Sequence, residues 1–193
     1  KKKSANVIMT SKKHSRASSR CCEALIKIEK LKNKKYNLIV MIQGDEPMVT
    51  PKMIKRSIEP FYKDRNVEVV NLVSRINDYN EFINPNTIKV VLNNRNNALY
   101  FSRLPIPFKK NRKNNFGYKQ VCVIPFKRNI LLNYNSMRET DLEKKESIDM
   151  LRLLQNEYPV RCVIVKEYTH PVDTIADLKK VNKLLKKKIV KNT

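Results

Sequence analysis

The stretch "LIVMIQGDEPMVT", Leu38 to Thr50, sets a run of large apolar residues against an abrupt polar end, Gln43-Gly44-Asp45-Glu46-Pro47. Residues 37–43 have no polar–apolar alternation, the pattern of a strand covered on both faces. Thr50-Pro51 follows as an N-cap and a proline at the first helical position, so a strand, a polar turn and a helix succeed one another. In an open α/β sheet, ligands collect at the carboxyl ends of strands, which is where Gly44 and Asp45 fall. The chain has only two glycines and places one here. A glycine allows backbone to approach a phosphate closely, and a neighbouring carboxylate can hold Mg²⁺, a hard ion that takes oxygen ligands. By spacing alone the same residues serve equally well as an ordinary polar turn.

Outward from this unit, apolar and amphipathic segments alternate in a βαβ-like order. The reading predicts a short strand at "ANVIMT" (5–10). It predicts a helix at "SSRCCEALIKIEKL" (18–31), capped by Ser18 or Ser19, and another at "PKMIKRSIEPFYK" from Pro51. "VEVVNLVS" (67–74) reads as a strand and "TIKVVLNNRNNALYFSR" (87–103) as a hairpin turning at Asn93 to Asn97, which makes the sheet mixed. Residues 104–117 carry prolines, a basic cluster and the second glycine, and read as a surface loop. "YKQVCVIPF" (118–126) resumes as strand. Helices are expected at 127–135 and 142–155, a strand at "YPVRCVIVK" (158–166), and a C-terminal helix opened by a capping-box-like pair, Thr174 and Asp177. The basic tail, 185–193, reads as loosely ordered.

At 193 residues, 41% hydrophobic and 31% charged, the chain is expected to form one soluble domain over 1–193. No apolar run reaches the roughly 20 residues that span a bilayer, and the N-terminus lacks a signal peptide's apolar stretch, so no membrane partner and a cytoplasmic location are expected. Cysteines 21, 22, 122 and 162 form no CxxC pair and fit buried thiols in a reducing compartment. The net charge of +23 is spread through every segment with no nucleic-acid-binding module beside it, so no specific nucleic-acid partner is expected.

Six segments then decide the reading: "VIMTSKKH" (7–14), "QGDEPMV" (43–49), "FINPNTIKVVL" (82–92), "ALYFSRLPIP" (98–107), "LEKKESIDMLRLL" (142–154) and "VDTIADLKKV" (172–181). In this order and separation the chain resembles the 3-deoxy-manno-octulosonate cytidylyltransferase (CMP-Kdo synthetase) family along nearly its whole length. The resemblance implies a three-layer, Rossmann-like nucleotidyltransferase fold of the glycosyltransferase-A type, with a mixed, mainly parallel sheet. It implies attack of the anomeric hydroxyl of an acidic eight- or nine-carbon sugar on the α-phosphate of CTP, giving a CMP-sugar and pyrophosphate for lipopolysaccharide or surface polysaccharide synthesis. It also implies Mg²⁺ and a homodimer.

Residue by residue, the resemblance makes Asp45 and Asp173 the catalytic Mg²⁺ ligands and puts Gln43 and Gly44 at the sugar–nucleotide junction. Arg103 matches a position facing the acidic sugar, where a guanidinium suits a carboxylate. Lys89 is a candidate phosphate or carboxylate contact. His14, Ser18 and Arg20 match parts of the family's H.SG(T/S)(D/E)R, which approaches the nucleotide. Gln120 stands at the histidine of K.H.G.Y, with Cys122 and Ile124 at its glycine and tyrosine. Glu146 and Asp149 fall in the helix that usually reads E..EQLR, here "ESIDMLR".

These replacements lie on the sugar side and bear on which sugar is taken, because a site built to bond a hydroxyl discriminates strongly. The family's opening PARxxSxRLPxKPL loop has no counterpart here, so the reading expects a domain incomplete at its N-terminus, with little CTP turnover if nothing replaces that loop. Two rivals follow from these departures and from the charge: a catalytically impaired relative acting as a scaffold, and a basic nucleic-acid-binding α/β domain.

Overall fold

The computed structural model describes residues 6–108 and 116–191. Helix α1 (Ala17–Lys32) leads into strand β1 (Leu38–Ile42), α2 (Pro51–Lys63), β2 (Val69–Ile76), the short α3 (Tyr79–Ile83) and the hairpin β3 (Lys89–Leu92) and β4 (Ala98–Ser102). Then come β5 (Gly117–Val121), β6 (Val123–Lys127), α4 (Arg128–Ser136), α5 (Asp141–Glu146), α6 (Met150–Gln155), β7 (Val160–Val165) and α7 (Ile175–Lys191).

Side chains alternate across the sheet and feed a core on each face. Val69, Val73, Ile124 and Phe126 join Cys22 and Leu25 of α1, Ile130 and Leu131 of α4, and Leu151 and Leu153 of α6. Leu72, Val121, Val123 and Val165 pack on the other side with Met53 of α2. Helices therefore cover both faces, as a three-layer fold requires. The sheet is mixed as expected but not mainly parallel: among the described residues β2–β7 is the one parallel pairing, and β1–β6, β2–β6, β2–β5, β3–β5 and β3–β4 are all antiparallel.

Thr50 caps α2, its hydroxyl accepting from the Met53 amide at 3.3 Å, and the hairpin turns at Asn93–Asn97 as expected. Thr174 and Asp177 bond reciprocally ahead of α7, with the Asp177 amide 3.2 Å from Thr174 Oγ1 and the Thr174 amide 3.0 Å from Asp177 Oδ2.

Four expectations need correction. Residues 6–10 are not a strand: no sheet edge among the described residues pairs with them, and Val7 and Met9 are 75% and 79% exposed. Strand β1 is not covered on both faces, since Ile42 is 43% exposed. The N-cap of α1 is Arg16 rather than Ser18 or Ser19, which lie inside its first turn. The helix expected over 142–155 is two, α5 and α6, separated where Ser147 takes a left-handed conformation (φ 56°). The middle of the 104–117 loop, 109–115, and the last residues of the basic tail, 192–193, lie outside the described residues.

Candidate active site

Strands β5 and β6 are one extended segment interrupted at Cys122. Along one edge of this segment β1 pairs with the β6 half and ends, and β3 begins on the β5 half. The chain leaves at Gln43, whose amide donates to Cys122 O at 3.1 Å, and re-enters at Ile88, whose carbonyl accepts from the Gln120 amide at 2.8 Å. The QGDEP turn therefore departs from a fork in the sheet. Cys122 has no strand partner for its own amide there, and Glu46 Oε1 accepts it at 2.9 Å.

A cleft of ≈ 400 Å³ opens at the fork, lined in part by Gln43, Asp45, Arg103, Gln120, Asp149 and Asp173. A second, of ≈ 660 Å³, is lined in part by Thr10, His14, Arg20 and Gly44. The two share Ser15, Arg16, Ala17, Gln43 and Asp45, so Asp45 stands at their junction. Both volumes suit small ligands.

The Val172 amide donates to Asp45 O at 2.9 Å, and this bond draws the Asp173 segment against the QGDEP turn. Asp45 Oδ1 is buried and has no hydrogen-bond partner. Burial chiefly, with the Asp173 charge adding, pushes the Asp45 carboxyl above its ordinary value. An orphaned carboxylate oxygen beside a second carboxylate is what a cation relieves. Among the described residues no group of three or more His, Cys, Asp or Glu could hold a metal alone. The two-carboxylate set would suit a hard divalent cation such as Mg²⁺, which takes oxygen ligands and needs only one or two protein carboxylates. Glu46 is buried, and burial with help from Asp45 raises its pKa to about 6, although the Cys122 amide opposes the shift.

The other expected residues divide. Arg103 lines the cleft with its guanidinium fixed on backbone carbonyls: Nε on Glu146 at 2.6 Å and one terminal nitrogen on Pro85 at 3.0 Å. Gln120 lines it too, its amide nitrogen 2.6 Å from Asn71 Oδ1. Asp149 lines it while its Oδ2 accepts the Ser18 amide at 2.9 Å, so it caps α1 from another element.

Lys89 and Glu146, expected as substrate contacts, line neither cleft. Lys89 is fully buried and donates to three backbone carbonyls, Asn84 at 2.9 Å, Thr87 at 2.6 Å and Arg103; burial and the Arg103 charge lower its pKa to about 8. Glu146 accepts from Ser102 Oγ and from the Arg103 amide, both at 2.8 Å, and anchors that segment.

On the nucleotide side, His14 is held between Ser19 Oγ at 3.1 Å and Glu23, and Arg20 donates to Thr10 Oγ1 at 2.8 Å and Ser11 O at 2.9 Å. Both shape the second cleft. Ser18 is buried within the first turn of α1 and lines neither cleft. Glu46, Lys119 and Arg16 line the main cleft although the sequence reading did not single them out. Lys119 carried a signal: it shares the inward face of its strand pattern with Val121, an unusual place for a charge.

The chain matches the cytidylyltransferase family over residues 1–175. It belongs to that family. A 3-deoxy-manno-octulosonate cytidylyltransferase of Fusobacterium nucleatum is 35% identical over 187 residues, 95% of this cytidylyltransferase and 73% of that protein. The enzyme of that name from Neisseria meningitidis serogroup B is 33% identical over 185 residues, 91% and 72% respectively. A solved structure of CMP:2-keto-3-deoxy-manno-octonic acid synthetase complexed with CTP superposes with a TM-score of 0.80 at 32% identity, over 94% of this chain and 72% of that one. A 4-diphosphocytidyl-2C-methyl-D-erythritol synthase from Anaerococcus prevotii, at 14% identity and a TM-score of 0.56 over 90% of this chain and 65% of that one, shares the fold.

Proposed function

We propose that this cytidylyltransferase joins CMP from CTP to the anomeric hydroxyl of 3-deoxy-manno-octulosonate or a closely related acidic sugar. The hydroxyl oxygen bonds to the α-phosphorus and gives up its proton to solvent, the α–β anhydride breaks, and pyrophosphate leaves with its electron pair. The observation that carries the reading is Asp45 at the junction of the two clefts, with an unpartnered buried oxygen and Asp173 beside it. CTP in the second cleft and sugar in the first would meet there.

Asp45 and Asp173 would hold Mg²⁺, which when bound neutralises triphosphate charge and acidifies a nearby hydroxyl. Arg103 faces the first cleft with no carboxylate salt bridge among the described residues, and a guanidinium has five N–H donors, so donors remain for a sugar carboxylate beyond those that fix the group in place. Gly44 lets the triphosphate pass close to the turn. Positioning and charge neutralisation account for most of the barrier reduction in phosphoryl transfer. The product would supply lipopolysaccharide or surface polysaccharide assembly from the cytoplasm. Among the described residues no helix is long and apolar enough to cross a membrane.

The reading is tested by pyrophosphate release, with the protein expressed over its whole reading frame and given CTP, Mg²⁺ and either 3-deoxy-manno-octulosonate, the nine-carbon N-acetylneuraminate or no sugar. Release that depends on the eight-carbon sugar supports it. Release that ignores the sugar, or none with either, overturns it.

A further inference from the structure

One row of cross-strand partners runs through four strands beneath the cleft. Ser74 of β2 pairs with Lys119 of β5, Lys119 with Lys89 of β3, and Lys89 with Ser102 of β4. Cross-strand partners share a face, so four polar side chains stand in line, each at most 3% exposed. Two buried ammonium groups are costly to desolvate unless each is hydrogen-bonded. Lys119 is 2% exposed where it lines the cleft, and Lys89 is fully buried.

What they reach are the loops that carry the cleft residues. Lys119 bonds Glu81 of α3 and the carbonyl of buried Thr169 at 2.7 Å, and it stands 4.9 Å from the centre of the Tyr168 ring. Four residues beyond Thr169 is Asp173, after the Val172 amide that bonds Asp45 O. Lys89 gathers the carbonyls of Asn84 and Thr87, which bracket the cleft residue Asn86, together with the carbonyl of Arg103. At the end of the row Ser102 Oγ donates to Glu146 Oε1. Each lysine thus holds a different wall.

We infer that Lys119 and Lys89 are positioning residues that preset the two walls of the cleft separately, Lys119 the Asp173 wall and Lys89 the Arg103 wall. The inference rests on the proposed reaction for its kinetic consequence, and on the hydrogen bonds alone for its structural one.

The test is site-resolved amide hydrogen exchange together with steady-state kinetics on Lys119→Met and Lys89→Met, substitutions that keep length and remove the donors. In Lys119→Met the Val172 amide should exchange faster by about tenfold or more while Thr87 is unchanged, and the Mg²⁺ concentration for half-activation should rise. In Lys89→Met the Thr87 and Arg103 amides should exchange faster while Val172 is unchanged, and the sugar KM should rise about tenfold with the Mg²⁺ requirement unaltered. If either protein does not fold, Glu81→Gln and Lys89→Gln should give the same two patterns more weakly. Variants that loosen both walls alike, or neither, overturn the inference. A wild-type protein with no sugar-dependent turnover but with this exchange split would sink the proposed reaction and leave the positioning roles standing.

Discussion

Gly44 has nothing within 4 Å of where a Cβ would stand, and its φ lies outside the left-handed region. The fold itself does not demand glycine there; under the proposed function the triphosphate that approaches the turn does. Gly44→Ala should leave the melting temperature unchanged or raise it slightly, since it stiffens the unfolded chain by about 0.4–1 kcal/mol. It should also raise the KM for CTP. A variant with wild-type CTP kinetics would remove the phosphate role.

Glu46 makes a second claim at this scale. Its folded pKa of about 6 lies above the ordinary value, so the native state binds the proton more tightly than the unfolded chain does. The stability from that proton is present in full below about pH 4 and is lost as the pH rises through about 6, on the order of 1–2 kcal/mol. Thermal unfolding from pH 4 to 7 should show wild type losing stability relative to Glu46→Gln across that window. A flat difference contradicts the assignment.

At the scale of elements, the break between α5 and α6 frees Asp149 to cap α1 through the Ser18 amide while lining the cleft. Asp149→Ala should lower stability by about 0.5–2 kcal/mol, the usual cost of a lost cap, and Asp149→Asn, which keeps an acceptor oxygen, should restore most of it in denaturant unfolding. An alanine variant as stable as wild type would deny the cap. The break was hidden in the sequence because Leu142, Met150, Leu151 and Leu153 continue a helical apolar rhythm. What interrupts it is tertiary: Arg16 donates to Ser147 Oγ at 2.6 Å, and Arg103 Nε takes the Glu146 carbonyl. The strand expected over 5–10 failed for the converse reason, since apolar alternation makes a strand only where a neighbour accepts its ladder. Thr50-Pro51, the Asn93–Asn97 turn and the Thr174–Asp177 box were legible because their causes are local.

Over the whole molecule, the six matched segments carried the fold and the pairing of Asp45 with Asp173, which lie 128 positions apart in the chain. What they did not carry was the register. Lys89 reads as a ligand contact from its motif and becomes a buried clamp only once β3 is aligned with β5, and Glu46 becomes a tether only when Cys122 loses its strand partner at the fork. The homodimer implied by the resemblance belongs to this scale too. Leu99, Leu104 and Phe108, 59%, 70% and 91% exposed along β4 and just beyond it, suit such an interface, and sedimentation equilibrium should give twice the chain mass; a monomer at micromolar concentration would contradict it.

The most direct test of the central claim, that CMP transfer occurs at the Asp45–Asp173 junction, is the rate at which CMP-sugar and pyrophosphate form in equal amounts from CTP and 3-deoxy-manno-octulosonate, for wild type against Asp45→Asn of matched melting temperature. Wild type should give equimolar products, and the variant should lose about 100-fold or more in kcat, the scale of removing one electrostatic contributor to the transition state. An Asp45→Asn protein that turns over at the wild-type rate would contradict it.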